Sequence, residues 1–204
     1  MHSVVDEIIQ SNNWRNGEFA KYKSNSLNVD EQLWCRMCIP MIYAHWEGFI
    51  VSSLKIMLNH LNRLKIETKN LPSNLVVVGL GDAYRKLSGK QSFQQKIEFT
   101  EKFDEILAAP VKFNTKVDTK SNLRADIFYG LCDSFNFNTA LFRDEDELRD
   151  IDRLVQIRNS IAHGENSFVL NMEKINNYID AVNKITDIFL DEIDEYLSNK
   201  RYLK

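Results

Sequence analysis

From Glu31 to Leu64 the chain carries a long apolar pattern, interrupted only by Pro40 and Gly48. Leu33, Met37, Met41, Ala44, Gly48, Val51 and Leu58 recur at spacings of three, four and seven. Ile39, Ile42, Trp46, Phe49, Ile50 and Leu54 form a second row beside them. Such spacing stacks side chains on one side of an α-helix, and two adjacent rows widen the apolar face until neighbours must cover it. A helix over about 31–64 is therefore expected at the centre of the fold, with Asp30 as its N-cap and a kink or restart at Pro40. Breakers are scarce elsewhere too, with 7 Gly and 3 Pro in 204 residues, which disfavours many short strands joined by turns. The expected fold class is all-α, a helical bundle.

Around this helix the pattern is shorter-ranged. Residues 3–24 read as one or two short polar helices with breaks near Asn12-Asn13 and Asn16-Gly17. Leu75 to Gly81 fits either a buried strand or a turn of helix, and residues 67–90 as a whole are ambiguous. Its Gly79-Leu80-Gly81 lacks the third glycine of a dinucleotide-binding fingerprint. Helical periodicity returns from Ser92 to Leu107 through Phe93, Ile97, Phe103, Ile106 and Leu107, and Pro110 stops it. Asn122 is placed to cap a helix through Ile127 and Leu131. A helix over about 147–163 should end at Gly164, and a last amphipathic helix spans 171–197. No repeat or linker divides the chain. One domain is expected over 1–204, with 1–29 as a peripheral helical extension and a core over about 30–198.

No apolar run approaches the ~20 residues that span a bilayer, and the N-terminus lacks the basic start and apolar stretch of a signal peptide. A cytoplasmic protein is expected, with no membrane contact. Cys35 and Cys38 form a C-x-x-C, but no matching second pair of ligands is spaced for zinc, and Cys132 stands apart. Reduced thiols on a helix are the expectation, with no metal and no cofactor. Net charge is −3, which is not the footprint of a protein that holds nucleic acid by bulk electrostatics. Any RNA contact must be local, and Lys112, Lys116, Lys120 and Arg124 around the single acid Asp118 form the clearest basic patch. A solvated loop fits the same residues.

The 147–163 helix carries the densest chemistry. Leu148, Ile151, Val155 and Ala162 make its apolar stripe, while Asp152, Gln156, Asn159 and His163 make a polar one. Arg158 falls on the apolar stripe, where an unpaired charge would cost several kcal/mol, so it must find a partner. His163 lies in the last turn, where the carbonyl dipoles favour a cation. One helix end thus offers a proton-transfer group, a fixed cation and a neutral polar group, enough in kind to cleave a phosphodiester. On spacing alone, a histidine that merely caps the helix before Gly164 fits as well.

The full segment Arg158-Asn159-Ser160-Ile161-Ala162-His163-Gly164 resembles the R-x(4–6)-H signature of the HEPN superfamily. The upstream tract Tyr43-Ala44-His45-Trp46-Glu47-Gly48-Phe49-Ile50 resembles the matching helix of small MAE-type HEPN-like nucleases. Together the two motifs span roughly residues 30–195. The resemblance implies a bundle that forms a homodimer, with two R-x(4)-H helix ends meeting in a composite cleft. It also implies metal-independent endoribonuclease activity, typically in phage defence or toxin–antitoxin systems, where an antitoxin or defence-system protein is the partner. By position, Arg158 and His163 are the catalytic pair and Asn159 the supporting residue. Glu47 is a second supporting candidate, either pairing with Arg158, orienting His163, or simply exposed. His45 and Trp46 are read as packing residues. Some HEPN toxins carry a modifiable tyrosine two residues after the histidine; here that position is Glu165. The alternative is a HEPN-like module that dimerises or binds a partner without catalysis.

Overall fold

The computed structural model describes residues 1–81, 92–142 and 146–204. Its helices are α1 (Ser3–Asn12), α2 (Trp14–Asn25), α3 (Glu31–Arg63), α4 (Ser73–Leu80), α5 (Phe93–Ala108), α6 (Ala125–Phe135), α7 (Asp146–Ala162) and α8 (Met172–Ser198). Short 3-10 turns lie at Ser26–Asn28, Thr68–Asn70 and Thr139–Phe142, and no strand occurs among the described residues. The all-α bundle is the observed architecture. The ambiguous 75–80 stretch is helical, and the remainder of 67–90 from residue 82 onward lies outside the described residues.

Helix α3 runs unbroken through Pro40 and is the hub, packed by α1, α7 and α8. Asp30 caps it as expected, its carboxylate accepting the Leu33 N–H at 2.8 Å. The second of its two apolar rows faces the core, whereas the first faces outward at its N-terminal end and is fully buried only at Leu58. Ile39, Ile42, Trp46, Ile50 and Leu54 are fully buried, each worth about 1.5–3 kcal/mol of transfer free energy. Leu33, Met37 and Met41 instead face outward, 57%, 57% and 45% exposed. The expectation that neighbours cover this widened apolar face therefore fails in the first three turns of α3. The core itself is one contiguous cluster, reaching from Val4, Val5 and Ile8 on α1 to Tyr196 on α8 and Tyr202 beyond it.

Two features position the end of α7. Helix α7 lies against α8 through Leu148, Ile151, Leu154 and Val155, all buried. Its C-terminus closes with Gly164 at φ +78°, the Gly164 N–H bonding to Ile161 and the Glu165 N–H reaching back to Ser160. This is the Schellman pattern, and His163 occupies the C-cap position within it. The chain that follows is gripped by α3. Arg36 donates from Nη1 and Nη2 to the Glu165 carbonyl at 3.1 Å each, and Glu31 accepts the Met172 N–H at 3.0 Å.

Candidate active site

Arg158 projects from α7 over the ring of Tyr43 on α3, with its guanidinium carbon 4.4 Å from the ring centroid. Its Nη1 donates to the side-chain oxygen of Asn159 at 2.8 Å and, more weakly, to that of Asn122 at 3.4 Å. No carboxylate among the described residues lies within ion-pair distance of it. The arginine that the apolar stripe required to find a partner is thus held by an aromatic face and two neutral amides. Its charge remains unneutralised, which leaves it available to an anion.

Tyr43 is buried, and its hydroxyl accepts the Leu123 N–H at 3.0 Å, with the Glu47 carboxylate nearby. Burial pushes its pKa up to about 12, with the Glu47 carboxylate adding to the rise while the Leu123 N–H and Arg158 oppose it. Glu47 is half-buried and also accepts from the Thr119 hydroxyl at 2.6 Å. Glu47 thus bonds to Thr119 and lies beside Tyr43, the residue whose ring Arg158 covers, and makes no ion pair with Arg158 itself. Trp46, one position before Glu47, donates its indole N–H to the Leu123 carbonyl at 2.9 Å.

These bonds fasten the 111–124 segment across α3. Burial alternates along 111–119, with Val111 and Phe113 buried and Val117 half-buried while Lys112 and Lys116 face solvent; the chain then turns at Lys120 and Ser121, φ +55° and +62°, before the buried Leu123. Asn62 clamps its backbone, accepting the Phe113 N–H at 2.7 Å and donating to the Phe113 carbonyl at 3.0 Å. All four basic candidates are exposed, Lys112, Lys116 and Lys120 along this segment and Arg124 at the start of α6. Lys120 is engaged with Asp118, whose pKa it lowers through hydrogen bonds and charge. Asn122 does not cap α6. The N-cap is Arg124, and Asp152 of α7 supplies the capping oxygen by accepting the Ala125 N–H at 2.8 Å. Asn122 is thereby free to face Arg158.

His163 is exposed at the end of α7, and its backbone N–H closes on the Asn159 carbonyl at 3.0 Å. Arg158 and His163 differ by five residues, so they leave the helix in different directions, and the side-chain hydrogen bonds of Arg158 go to Asn122 and Asn159 rather than to His163. Two residues that the sequence reading did not place in the site touch Arg158, Tyr43 and Asn122, while Thr119 reaches it only through Glu47, beside Tyr43. The four-residue spacing of Tyr43 and Glu47 on α3 was the available signal, since it stacks a phenol on a carboxylate. For Asn122 and Thr119 the contacts are long-range, and no local pattern announces them.

Cys35 and Cys38 are free and buried on α3; Cys35 points its thiol at the Met172 sulfur, 3.8 Å away. Burial pushes both thiols up to about 11, which makes them poor nucleophiles near neutral pH. No helix among the described residues is long and apolar enough to cross a membrane.

An all-α bundle with a central helix and an R-x(4)-H at the end of a later helix is the layout of a HEPN domain. The chain belongs to the HEPN_MAE_28990-like HEPN family, whose model matches residues 5–202. No curated protein and no solved structure gave a significant match.

Proposed function

We propose that this HEPN protein is a metal-independent endoribonuclease that acts as a homodimer. The observation that carries the reading is Arg158. It is a cation with no carboxylate partner among the described residues, pre-positioned on Tyr43 by Asn159 and Asn122, five residues before an exposed His163. A structural arginine in a half-buried setting would ordinarily be expected to pair with a carboxylate. An arginine kept charged and oriented suits a phosphate oxygen.

In this reading the 2′-hydroxyl of the substrate RNA attacks the adjacent phosphorus. The P–O5′ bond breaks, leaving a 2′,3′-cyclic phosphate and a 5′-hydroxyl. One proton leaves the 2′-oxygen and one is delivered to the departing 5′-oxygen, both through imidazole groups. Arg158 stabilises the negative charge that builds on the non-bridging oxygens. Asn159 holds the guanidinium, and Glu47 supports it indirectly from beside Tyr43. Lys112, Lys116, Lys120 and Arg124 lie along a segment that leads to this site, and they would guide the RNA backbone.

What supports the dimer is the exposed Leu33, Met37 and Met41 row, on the same turns of α3 whose Arg36 grips the residues after His163. A second copy packed on this face would bring two His163 side chains together, so that one serves as base and the other as acid. Residues 1–204 act as one domain in this scheme, in the cytoplasm. The biological setting is phage defence or a toxin–antitoxin pair, with an antitoxin or defence protein encoded nearby.

A second reading has its own observation: Arg158 is bonded entirely to residues that also build the fold, as a module without catalysis would use it. The two separate cleanly. Purified protein incubated with RNA in EDTA should cleave it, and Arg158→Ala and His163→Ala should each lose cleavage while keeping the helical circular dichroism of the parent. Full cleavage by either variant removes the assigned site. No cleavage of structured or unstructured RNA by the parent favours the module.

A further inference from the structure

On the side of α3 away from Arg158 lies a second arginine treated in the same manner. Arg15 of α2 lines a cavity of about 570 Å³ between α1, α2, α3 and α8. Its Nε donates to the Asn12 side-chain oxygen at 2.9 Å, and its Nη1 lies 3.1 Å from His45 Nδ1. Its guanidinium carbon sits 4.6 Å from the centroid of the Trp14 ring. Gly48 makes this seat possible, since a Cβ there would come within 2.8 Å of Arg15 Nη2. Among the described residues, Nη2 has no hydrogen-bond partner and no carboxylate is within ion-pair distance of Arg15.

The supports behind Arg15 are themselves fixed. His45 is 2% exposed, and its Nε2 lies 2.9 Å from the Glu18 carboxylate and 3.1 Å from the Tyr22 hydroxyl. With Arg15 donating to Nδ1, the hydrogen of the neutral ring belongs on Nε2, a tautomer assigned from the network. Glu18 is thereby committed to His45 and Tyr22 rather than to Arg15. Asn12 is buried and anchored to the Ile8 carbonyl and the Ser52 hydroxyl, 2.8 and 3.0 Å away. The rest of the cavity wall is mixed. Phe19, Phe49, Ile179 and Val182 supply an apolar lining, with Asn183 and Thr186 at its α8 side. Lys23 on the rim pairs with Asp180 at 3.5 Å. Asp187 also lines the cavity, its pKa raised by burial and by neighbouring Asp191.

We propose that this cavity is a binding site for a small organic anion, with an apolar body lying against Phe19, Phe49 and Val182 and its single anionic group on Arg15. A cavity of this size suits a small ligand, and an apolar wall with a few fixed polar groups is the usual make-up of such sites. A desolvated guanidinium recovers most when the incoming group is charged and can accept more than one N–H. The site is independent of the RNA chemistry at Arg158, so its test reads binding and not cleavage.

Two sources of such an anion are distinguishable. Octanoate and adenosine monophosphate are titrated separately into the full chain by calorimetry, with inorganic phosphate as the probe that lacks an apolar body. Saturable binding of octanoate identifies an alkyl carboxylate site, and saturable binding of the nucleotide identifies a nucleotide site. Arg15→Gln should weaken the bound probe at least about tenfold, the cost of losing a charge-assisted hydrogen bond. Asn183→Trp, which fills the cavity from α8 and leaves the Arg15 cluster alone, should abolish binding in a protein whose thermal unfolding stays cooperative. The proposal is overturned if neither organic probe binds, if phosphate binds as tightly as they do, or if binding survives Asn183→Trp.

Discussion

Tyr43 carries two roles that can be separated. Its ring lies under Arg158, and its hydroxyl satisfies the Leu123 N–H. Tyr43→Phe keeps the ring and strands a buried amide, so unfolding in denaturant should show a loss of about 1–3 kcal/mol with cleavage largely retained. Tyr43→Leu removes the aromatic face as well, and cleavage should fall further than stability does. Equal losses of cleavage in the two variants would mean that the hydroxyl, not the face, positions Arg158. His45 gives a pH signature. Burial first, then Arg15, lowers its pKa below the ordinary value of 6.5, although Glu18 opposes them. The unfolded chain therefore binds a proton that the folded one refuses, so this stability is present above about pH 6.5 and is lost as pH falls through the depressed folded value. His60, lowered by burial and by His2 and Arg63, acts with the same sign. Melting temperature should drop as pH goes from 7 to 5, and a folded His45→Gln variant should show a shallower drop.

At the scale of the element, the end of α7 depends on a single backbone conformation. Gly164 sits at φ +78°, and a Cβ there would meet nothing within 4 Å, so any penalty of substitution is conformational rather than steric. Gly164→Ala should cost about 1 kcal/mol or more in thermal unfolding and reduce cleavage by loosening His163, whereas Gly164→Asn, tolerant of that region, should cost less. Much of this element was legible beforehand. Apolar spacing, the glycine stop and the polar stripe of α7 are local properties, as is the Asp30 cap of α3, and they fixed where Arg158 and His163 lie along the chain. The 75–80 stretch was not, because a short apolar run satisfies helix and strand templates equally. The facing of α3 was not legible either: Leu33, Met37 and Met41 have the right spacing for burial, but only the positions of α1, α7 and α8 decide which row is covered. The partners of Arg158 were hidden for the same reason. Asn122 carries the local signature of a cap, and the competing acceptor, Asp152, comes from another helix.

For the whole molecule, the acidic net charge and the proposed composite site point the same way. A chain of net charge −3 gains a local positive field only where cations are brought together, and two copies joined near α3 and α7 would place two Arg158 side chains in one cleft. Met37→Glu combined with Met41→Glu puts charge on an outward-facing row, so the monomer fold should survive. Light scattering should then report a monomer in place of a dimer, with cleavage lost although Arg158 and His163 are intact. A monomeric parent that cleaves RNA would remove the composite site. The most direct measurement concerns the attacking group. A defined RNA and the same strand carrying one 2′-deoxy sugar at the cleaved position are incubated with the protein in EDTA, and the product ends are analysed. The account predicts 2′,3′-cyclic phosphate and 5′-hydroxyl ends from the RNA, no cut at the 2′-deoxy position, and no products with His163→Ala. Cleavage at the 2′-deoxy sugar, or the same products from His163→Ala, would contradict it.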